Sequence, residues 1–105
     1  MRDELCRELV GRSGDERMVF LTGDLGFMAL EPLRDAMGPR FINCGVAEQN
    51  MVSVAAALSY EGLEAWTYTI APFCYARAFE QIARLKTTAP IAKRIMSAFL
   101  CSAAE

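Results

Sequence analysis

Apolar and polar residues alternate along this chain in blocks that predict helices and strands in turn. Residues 2–12 are predicted to form an amphipathic helix, because Leu5, Leu9 and Val10 share one face and charged side chains take the other. Residues 18–22 form an uninterrupted apolar run between turn residues. Such a run is typical of a strand that is buried on both faces of a parallel sheet.

The same alternation continues for most of the remaining sequence. Strands are predicted over 40–44 and 63–70, and helices over about 29–37, 48–60 and from residue 73 or 74 to 86. Strands that alternate with helices over short links indicate βαβ units. We therefore predict an α/β fold, a three-layer arrangement in which helices flank a parallel sheet of about three strands.

The C-terminal segment has a different pattern. Ile91, Ile95 and Phe99 recur at i, i+4 and i+8, which predicts an amphipathic helix with a broad apolar face. We therefore divide the chain into a domain over 1–86 and a C-terminal amphipathic helix over 87–105.

Length, composition and charge narrow the class of protein. The 105 residues suffice for one small domain, and 53% apolar residues argue against disorder. The net charge is −2, and the five basic groups of residues 77–105 are more typical of a solvated helix face than of a nucleic-acid site. No apolar run is long enough to span a membrane, and the N-terminus has no signal-peptide pattern. We expect a soluble, cytoplasmic protein that binds neither nucleic acid nor membrane.

The cysteines and the absence of histidine limit the chemistry. Four cysteines occur, at positions 6, 44, 74 and 101, and no two of them form a C-x-x-C pair. With no histidine to complete a zinc shell, we predict no metal site within this chain, and free thiols in a reducing compartment. Cys44 and Cys74 have apolar surroundings that indicate core positions. Acid–base chemistry must then come from Asp, Glu, Lys, Tyr or a cofactor.

Residues 45–51 contain the sharpest candidate for chemistry. Glu48 stands where a predicted strand gives way to a helix of small residues. A carboxylate at this position can stabilise the free N–H groups of the helix start. It can also exchange protons if it is partly buried. The residues alone leave both roles open.

Three segments together resemble a known family. They are Phe20-Leu21-Thr22-Gly23-Asp24-Leu25-Gly26, then Arg40-Phe41-Ile42-Asn43-Cys44-Gly45-Val46-Ala47-Glu48-Gln49-Asn50-Met51, then Thr69-Ile70-Ala71-Pro72-Phe73. Over residues 1–84 they are similar to the pyrimidine-binding domain of transketolases, and most similar to the separate C-terminal subunit of split enzymes. The resemblance implies a fold of the thiamine-diphosphate-binding, pyrimidine-domain type, truncated after about residue 84. The segment 87–105 diverges from the family, and two origins stay open: a natural replacement that caps the domain, or the product of a frameshift.

The resemblance also implies roles for particular residues. Glu48 matches the family's glutamate that bonds the aminopyrimidine ring of thiamine diphosphate and promotes its activation, so we expect it to be catalytic and cofactor-binding. Asp24 and Phe73 match positions near the cofactor, and Phe73 would contact the ring. Ordinary alternatives stay open: Asp24 as a turn residue and Phe73 as a core side chain. Tyr75 and Arg77 are possible neighbours of the ring.

The resemblance finally implies a partner. The Gly-Asp-Gly…Asn pattern that holds the metal and diphosphate in this family is missing here. We therefore expect thiamine diphosphate with Mg²⁺ held by a partner chain, the diphosphate-domain (N-terminal) transketolase subunit, in an oligomer. The implied reaction transfers a two-carbon ketol unit between sugar phosphates. The alternative is a non-catalytic remnant that acts as a dimerisation or regulatory module.

Overall fold

A computed structural model describes residues 2–70, 72–86 and 95–96. The helices are α1 (Arg2–Arg12), α2 (Glu31–Met37), α3 (Glu48–Tyr60) and α4 (Phe79–Lys86), and the strands are β1 (Met18–Thr22), β2 (Phe41–Asn43), β3 (Glu64–Tyr68) and β4 (Ile95–Met96). A 3₁₀ turn spans Gly38–Arg40, and a π-helical turn spans Phe73–Arg77. No helix within the described ranges has the length and apolar character needed to cross a membrane.

The four strands form one parallel sheet in the order β2-β1-β3-β4. At the centre of the sheet Phe20 of β1 lies opposite Phe41 of β2 and Trp66 of β3. The chain runs from β1 through α2 to β2, and then crosses back through α3 to β3 on the other side of β1. The predicted α/β fold with a parallel sheet and flanking helices is therefore confirmed.

The period of two along β1 sends its side chains into two separate cores. Met18 and Phe20 pack on the face covered by α1 and α2, together with buried side chains such as Leu33. Val19 and Leu21 pack on the opposite face, against α3. All five residues of β1 are buried, which explains why this strand is a continuous apolar run rather than an alternating one.

Most predicted elements appear close to their predicted positions. The bounds of α1, β1 and α3 agree with the sequence pattern, while β3 is shorter than predicted, and α2 begins at Glu31. The helix predicted after Phe73 begins as the π-helical turn and becomes α-helical only at Phe79.

The prediction for the C-terminal segment is wrong at two residues. Ile95 and Met96 form a strand that pairs in parallel with Ala65 and Trp66 of β3, where an amphipathic helix was expected. The outer edge of β3 presents backbone N–H and C=O groups that need partners, and this requirement overrides the helical spacing of the apolar residues. The other residues of 87–105 lie outside the described ranges, so the boundary after residue 86 stays a prediction.

Arg40 fastens the connection between α1 and β1 to the start of β2. Its Nη1 donates hydrogen bonds to the carbonyl oxygens of Asp15 at 2.7 Å and Met18 at 3.2 Å, and its Nη2 donates to that of Ser13 at 2.6 Å. Hydrogen bonds from a charged donor are stronger than neutral ones. One partly buried side chain therefore satisfies three backbone acceptors of a non-helical segment.

Replacing Arg40 by methionine is expected to lower the free energy of unfolding by about 2 kcal/mol, because three carbonyl oxygens lose a charged donor. Urea unfolding followed by circular dichroism measures the change. Arg34→Met is the matched control, since the exposed Arg34 pairs with its neighbour Asp35, at 3.0 Å, and should stay within about 0.5 kcal/mol of the wild type. Equal losses in both variants would contradict this account of Arg40.

Gly26 is required by the turn that follows β1. Its φ is +91°, and a Cβ atom there would lie 2.3 Å from Cδ1 of the buried Leu30. Gly26→Ala should therefore lower the free energy of unfolding by about 2 kcal/mol, through backbone strain and a clash in the core. Gly11→Ala is the control of opposite sign: a Cβ there meets no atom within 4 Å, and alanine should stabilise α1 by up to about 1 kcal/mol. Urea unfolding followed by circular dichroism measures the free energy of unfolding of both variants.

Candidate functional site

The carboxyl ends of β1, β2 and β3 meet at one edge of the sheet. Backbone bonds continue past the strand ends there: Cys44 N–H donates to the Thr22 carbonyl at 2.8 Å, and Gly23 N–H donates to the Tyr68 carbonyl at 3.1 Å. β1 and β3 are neighbours whose following connections leave in opposite directions. In open α/β sheets such a point forms a crevice where ligands bind.

The loops at this edge approach one another closely around Gly23. A Cβ atom on Gly23 would lie 3.3 Å from Oγ1 of Thr69 and 3.7 Å from the carbonyl oxygen of Gly45. Thr69 is buried, and its Oγ1 has no hydrogen-bond partner among the described residues. A buried hydroxyl without a partner is costly, and this one lies at the crevice rather than in the apolar core.

Glu48 is a buried acid at the start of α3. Only 3% of its surface is exposed, and it is the first residue of a helix whose N-cap, Ala47, provides no side-chain cap. The free N–H groups and the dipole of the helix start favour a negative charge there. The predicted strand–helix junction is thus present, and it holds the carboxyl group away from solvent.

Arg77 is the cation that pairs with Glu48. Its Nη1 lies 3.3 Å from Oε1 and 3.2 Å from Oε2 of Glu48. Its guanidinium carbon also lies 3.8 Å from the centre of the Phe73 ring, so the cation covers one face of that ring. The side chain of Gln49 holds the backbone of the segment 73–77, because its Nε2 donates a hydrogen bond to the Arg77 carbonyl at 2.8 Å.

Phe73 and Arg77 lie four residues apart on one π-helical turn, from which Arg77 contacts both Phe73 and Glu48. Phe73 N–H donates to the Ile70 carbonyl at 2.9 Å, which begins the turn directly after β3. The wider π-helical turn redirects side chains relative to an α-helix and is often found at functional sites. We call the space between the Glu48 carboxylate and the Phe73 ring the Glu48–Phe73 niche.

The Glu48–Phe73 niche has two chemical preferences. The ring of Phe73 offers a flat face for stacking, and the carboxylate of Glu48 accepts hydrogen bonds from N–H groups. The planar, N–H-bearing guanidinium of Arg77 satisfies both of them. A flat heterocycle that carries an amino group has the same properties. The carboxylate and the ring face of this niche therefore fit an aminopyrimidine.

Asp24 lies elsewhere on the same edge. It is exposed, adopts a left-handed backbone with φ of +61°, and accepts a hydrogen bond from Nδ2 of Asn43 at 2.8 Å. Asn43 in turn accepts from the Gly45 N–H at 2.9 Å, so the pair braces the loops after β1 and β2. Asp24 lines a cavity of about 300 Å³ whose walls include neither Glu48 nor Phe73. The structure thus brings Glu48 and Phe73 together and gives Asp24 a bracing contact; its binding of a cofactor stays a prediction.

The remaining candidates play smaller parts in the geometry. Tyr75 and Asn50 are exposed. Cys44 is a free, partly buried thiol, and burial raises its pKa above the ordinary value. Across the described part of the chain, no three Asp, Glu, Cys or His side chains come close enough to hold a metal ion.

Arg77 is the residue whose importance the sequence understates. It appeared there only as a possible neighbour, because an arginine four residues after Phe73 is typical of any helix surface. Residues four apart lie on one face of a helix, so the spacing is compatible with a contact between Arg77 and Phe73. The contact of Arg77 with Glu48 joins residues 29 positions apart, and it depends on the fold. The one available signal was an arginine close to an aromatic residue just after a strand end.

Comparison with known proteins agrees with this geometry. The family described as "Transketolase, pyrimidine binding domain" matches residues 8–97, which extends past the boundary predicted at residue 86. A putative uncharacterized transketolase family protein, y4mN, from Sinorhizobium fredii is 39% identical over 69 residues. The match covers 65% of this chain and 20% of that protein, so this chain corresponds to about a fifth of its relative.

The family match spans the sheet, the helix that begins at Glu48 and the turn that carries Phe73 and Arg77. This chain therefore belongs to the transketolase family and carries its pyrimidine-binding domain.

Proposed function

We propose that this chain is one part of a thiamine-diphosphate-dependent transketolase, which transfers a two-carbon ketol unit between sugar phosphates. The observation that carries the proposal is the Glu48–Phe73 niche, where a buried carboxylate and an aromatic face meet at the carboxyl edge of the sheet. When bound, thiamine diphosphate supplies the carbon nucleophile for breaking and forming bonds beside a carbonyl group. The protein has to position the cofactor and hold or move a proton on its aminopyrimidine ring.

Glu48 is the residue to which we assign the proton chemistry. Its carboxyl group would hydrogen-bond a ring nitrogen of the aminopyrimidine and hold or move a proton there. Burial keeps water from competing for this hydrogen bond, and the first turn of α3 fixes the position of the carboxyl group. Phe73 would hold the plane of the ring by stacking. Asp24 would contribute from the neighbouring loop, through the bracing contact with Asn43.

A partner chain is the second element of the proposal. Large apolar side chains are exposed on the segments that follow β1, β2 and β3, which are the strands whose carboxyl ends form the edge that holds Glu48: Phe27 (86% exposed), Met28 (82%), Val46 (71%), Tyr75 (56%) and Phe79 (69%). Exposed apolar groups that cluster are typical of an interaction surface. We propose that the diphosphate-domain subunit covers them and holds the diphosphate with Mg²⁺.

The second candidate is a non-catalytic module that only associates with a partner. The same exposed side chains favour it, because they would serve an interface whether or not chemistry takes place there. The two candidates assign different roles to Glu48. The transketolase needs its carboxyl group for catalysis, and the non-catalytic module does not.

The substitution Glu48→Gln separates the candidates. We expect ketol transfer by the chain, co-expressed with a diphosphate-domain transketolase subunit and supplied with thiamine diphosphate, to fall by about 10²- to 10⁴-fold, because the amide cannot exchange the proton. The rate is measured with and without the cofactor, and complex formation by size-exclusion chromatography. Glu61→Gln is the matched control, since Glu61 is an exposed residue at the opposite end of the same helix.

Two results would contradict the catalytic role. One is a Glu48→Gln complex that keeps its rate within about twofold of the wild type. The other is a wild-type complex that forms but transfers no ketol unit; this second result would favour the non-catalytic module.

The apolar edge is tested by Phe27→Ser and Phe79→Ser. Each is expected to weaken binding to the diphosphate-domain subunit by roughly tenfold, because a buried aromatic contact of about 1–2 kcal/mol is lost. Isothermal titration calorimetry measures the dissociation constants. Tyr60→Ser is the control: Tyr60 is 62% exposed but lies at the C-terminal end of α3, away from this edge. Equal weakening in all three variants would contradict an interface at the carboxyl edge.

A further inference from the structure

The guanidinium of Arg77 fills the Glu48–Phe73 niche in the free chain. It lies 3.8 Å above the ring centre of Phe73 and 3.2 Å and 3.3 Å from the two carboxylate oxygens of Glu48. A ring that stacks on this face of Phe73 at a normal separation and also bonds Glu48 would need the same space. Two planar groups cannot occupy it together.

We infer that Arg77 is an internal mimic of the aminopyrimidine ring, which the cofactor must displace before it can bind. The inference rests on the function proposed above and identifies the residue that controls entry to the same site. In the free chain Arg77 neutralises a carboxylate that would otherwise be buried without a partner, a costly arrangement. On binding, the ring takes over both contacts, and the side chain swings toward solvent.

Two features of Arg77 make the exchange feasible. Its side chain is 48% exposed, so it already borders water and gains hydration when it leaves the niche. Its backbone is held separately, by the hydrogen bond between Gln49 Nε2 and the Arg77 carbonyl. The side chain can therefore leave the niche while the π-helical turn and Phe73 stay in place.

The exchange has a definite consequence for affinity. A site that is open for only a fraction of the time binds more weakly by that fraction. The Arg77 side chain is 48% exposed but that of Glu48 only 3%, so the pair is at least as strong as an exposed pair of about 1 kcal/mol and leaves the niche open in no more than about one molecule in five. Removing the guanidinium should therefore tighten binding of the ring by at least about fivefold.

The test uses the full chain and 4-amino-2-methylpyrimidine, a probe without the thiazolium charge, so that simple charge repulsion by Arg77 does not enter. Binding is followed by NMR titration of the wild type, Arg77→Met and Arg77→Lys. We expect Arg77→Met to bind at least about fivefold more tightly. Arg77→Lys should lie between the two, because an ammonium group pairs with Glu48 but stacks poorly on Phe73. Arg77→Lys also keeps the charge of the pair, in case Arg77→Met fails to fold.

Two controls accompany these variants. Arg17→Met removes an exposed arginine that pairs with Asp15 at 3.2 Å, at the opposite edge of the sheet, and should leave the affinity unchanged. The second control observes the free wild-type chain directly. The Arg77 Nε–H signal should be shifted upfield by the Phe73 ring and slowed in exchange, and both effects should disappear in Glu48→Gln.

Distinct results overturn the inference and the proposed function. Weaker or unchanged probe binding in both Arg77 variants, or a freely exchanging Arg77 signal in the wild type, overturns the inference. If the wild type binds the probe and Glu48→Gln abolishes that binding, the proposed site stands even when the inference fails. If no variant binds the probe, both fail together.

Discussion

Parallel hydrogen bonding of β1 to a neighbour on each side is the constraint on which the rest of this structure depends. Because β2, β1 and β3 run in the same direction, their carboxyl ends coincide at one edge. Because β1 is buried on both faces, α2 and α3 must cover opposite sides of the sheet. The crossing from β2 to β3 through α3 then brings the start of α3, with Glu48, to that edge.

Burial of the Glu48 carboxylate at this edge costs free energy, and neighbouring groups offset that cost. The start of α3 supplies N–H groups and a favourable dipole, and Arg77 supplies the opposite charge. The helix start acts on the carboxylate from α3, and Arg77 acts on it from the niche. An acid held in this way is stable in the free chain and remains available to a ligand that offers the same contacts as Arg77.

The sequence predicted the fold well where local patterns and tertiary packing agree. The continuous apolar run of β1 and the small-residue helix α3 were located with their correct bounds. Ile95 and Met96 were predicted as helix, because their spacing is helical, yet they form a strand along β3. Only the hydrogen-bonding demand of a sheet edge, a long-range effect, decides between the two states.

The site was predictable in part for the same reason. Glu48 was identified from its place between a strand and a helix, and Phe73 from the resemblance of its segment to transketolases. The contact of Arg77 with Phe73 joins residues four apart, as on any helix, whereas its contact with Glu48 joins residues 29 positions apart and depends on tertiary structure. The contact between Asp24 and Asn43 joins residues that lie 19 positions apart, so it depends on strand order rather than on local spacing.

The central claim is that the Glu48–Phe73 niche receives the aminopyrimidine ring. A crystal structure of this chain in complex with a diphosphate-domain subunit and thiamine diphosphate tests it most directly. The account predicts the ring stacked on Phe73, a Glu48 carboxyl oxygen within hydrogen-bond distance of a ring nitrogen, and the Arg77 guanidinium displaced from the niche. A cofactor bound with its ring away from Glu48, and Arg77 still stacked on Phe73, would contradict it.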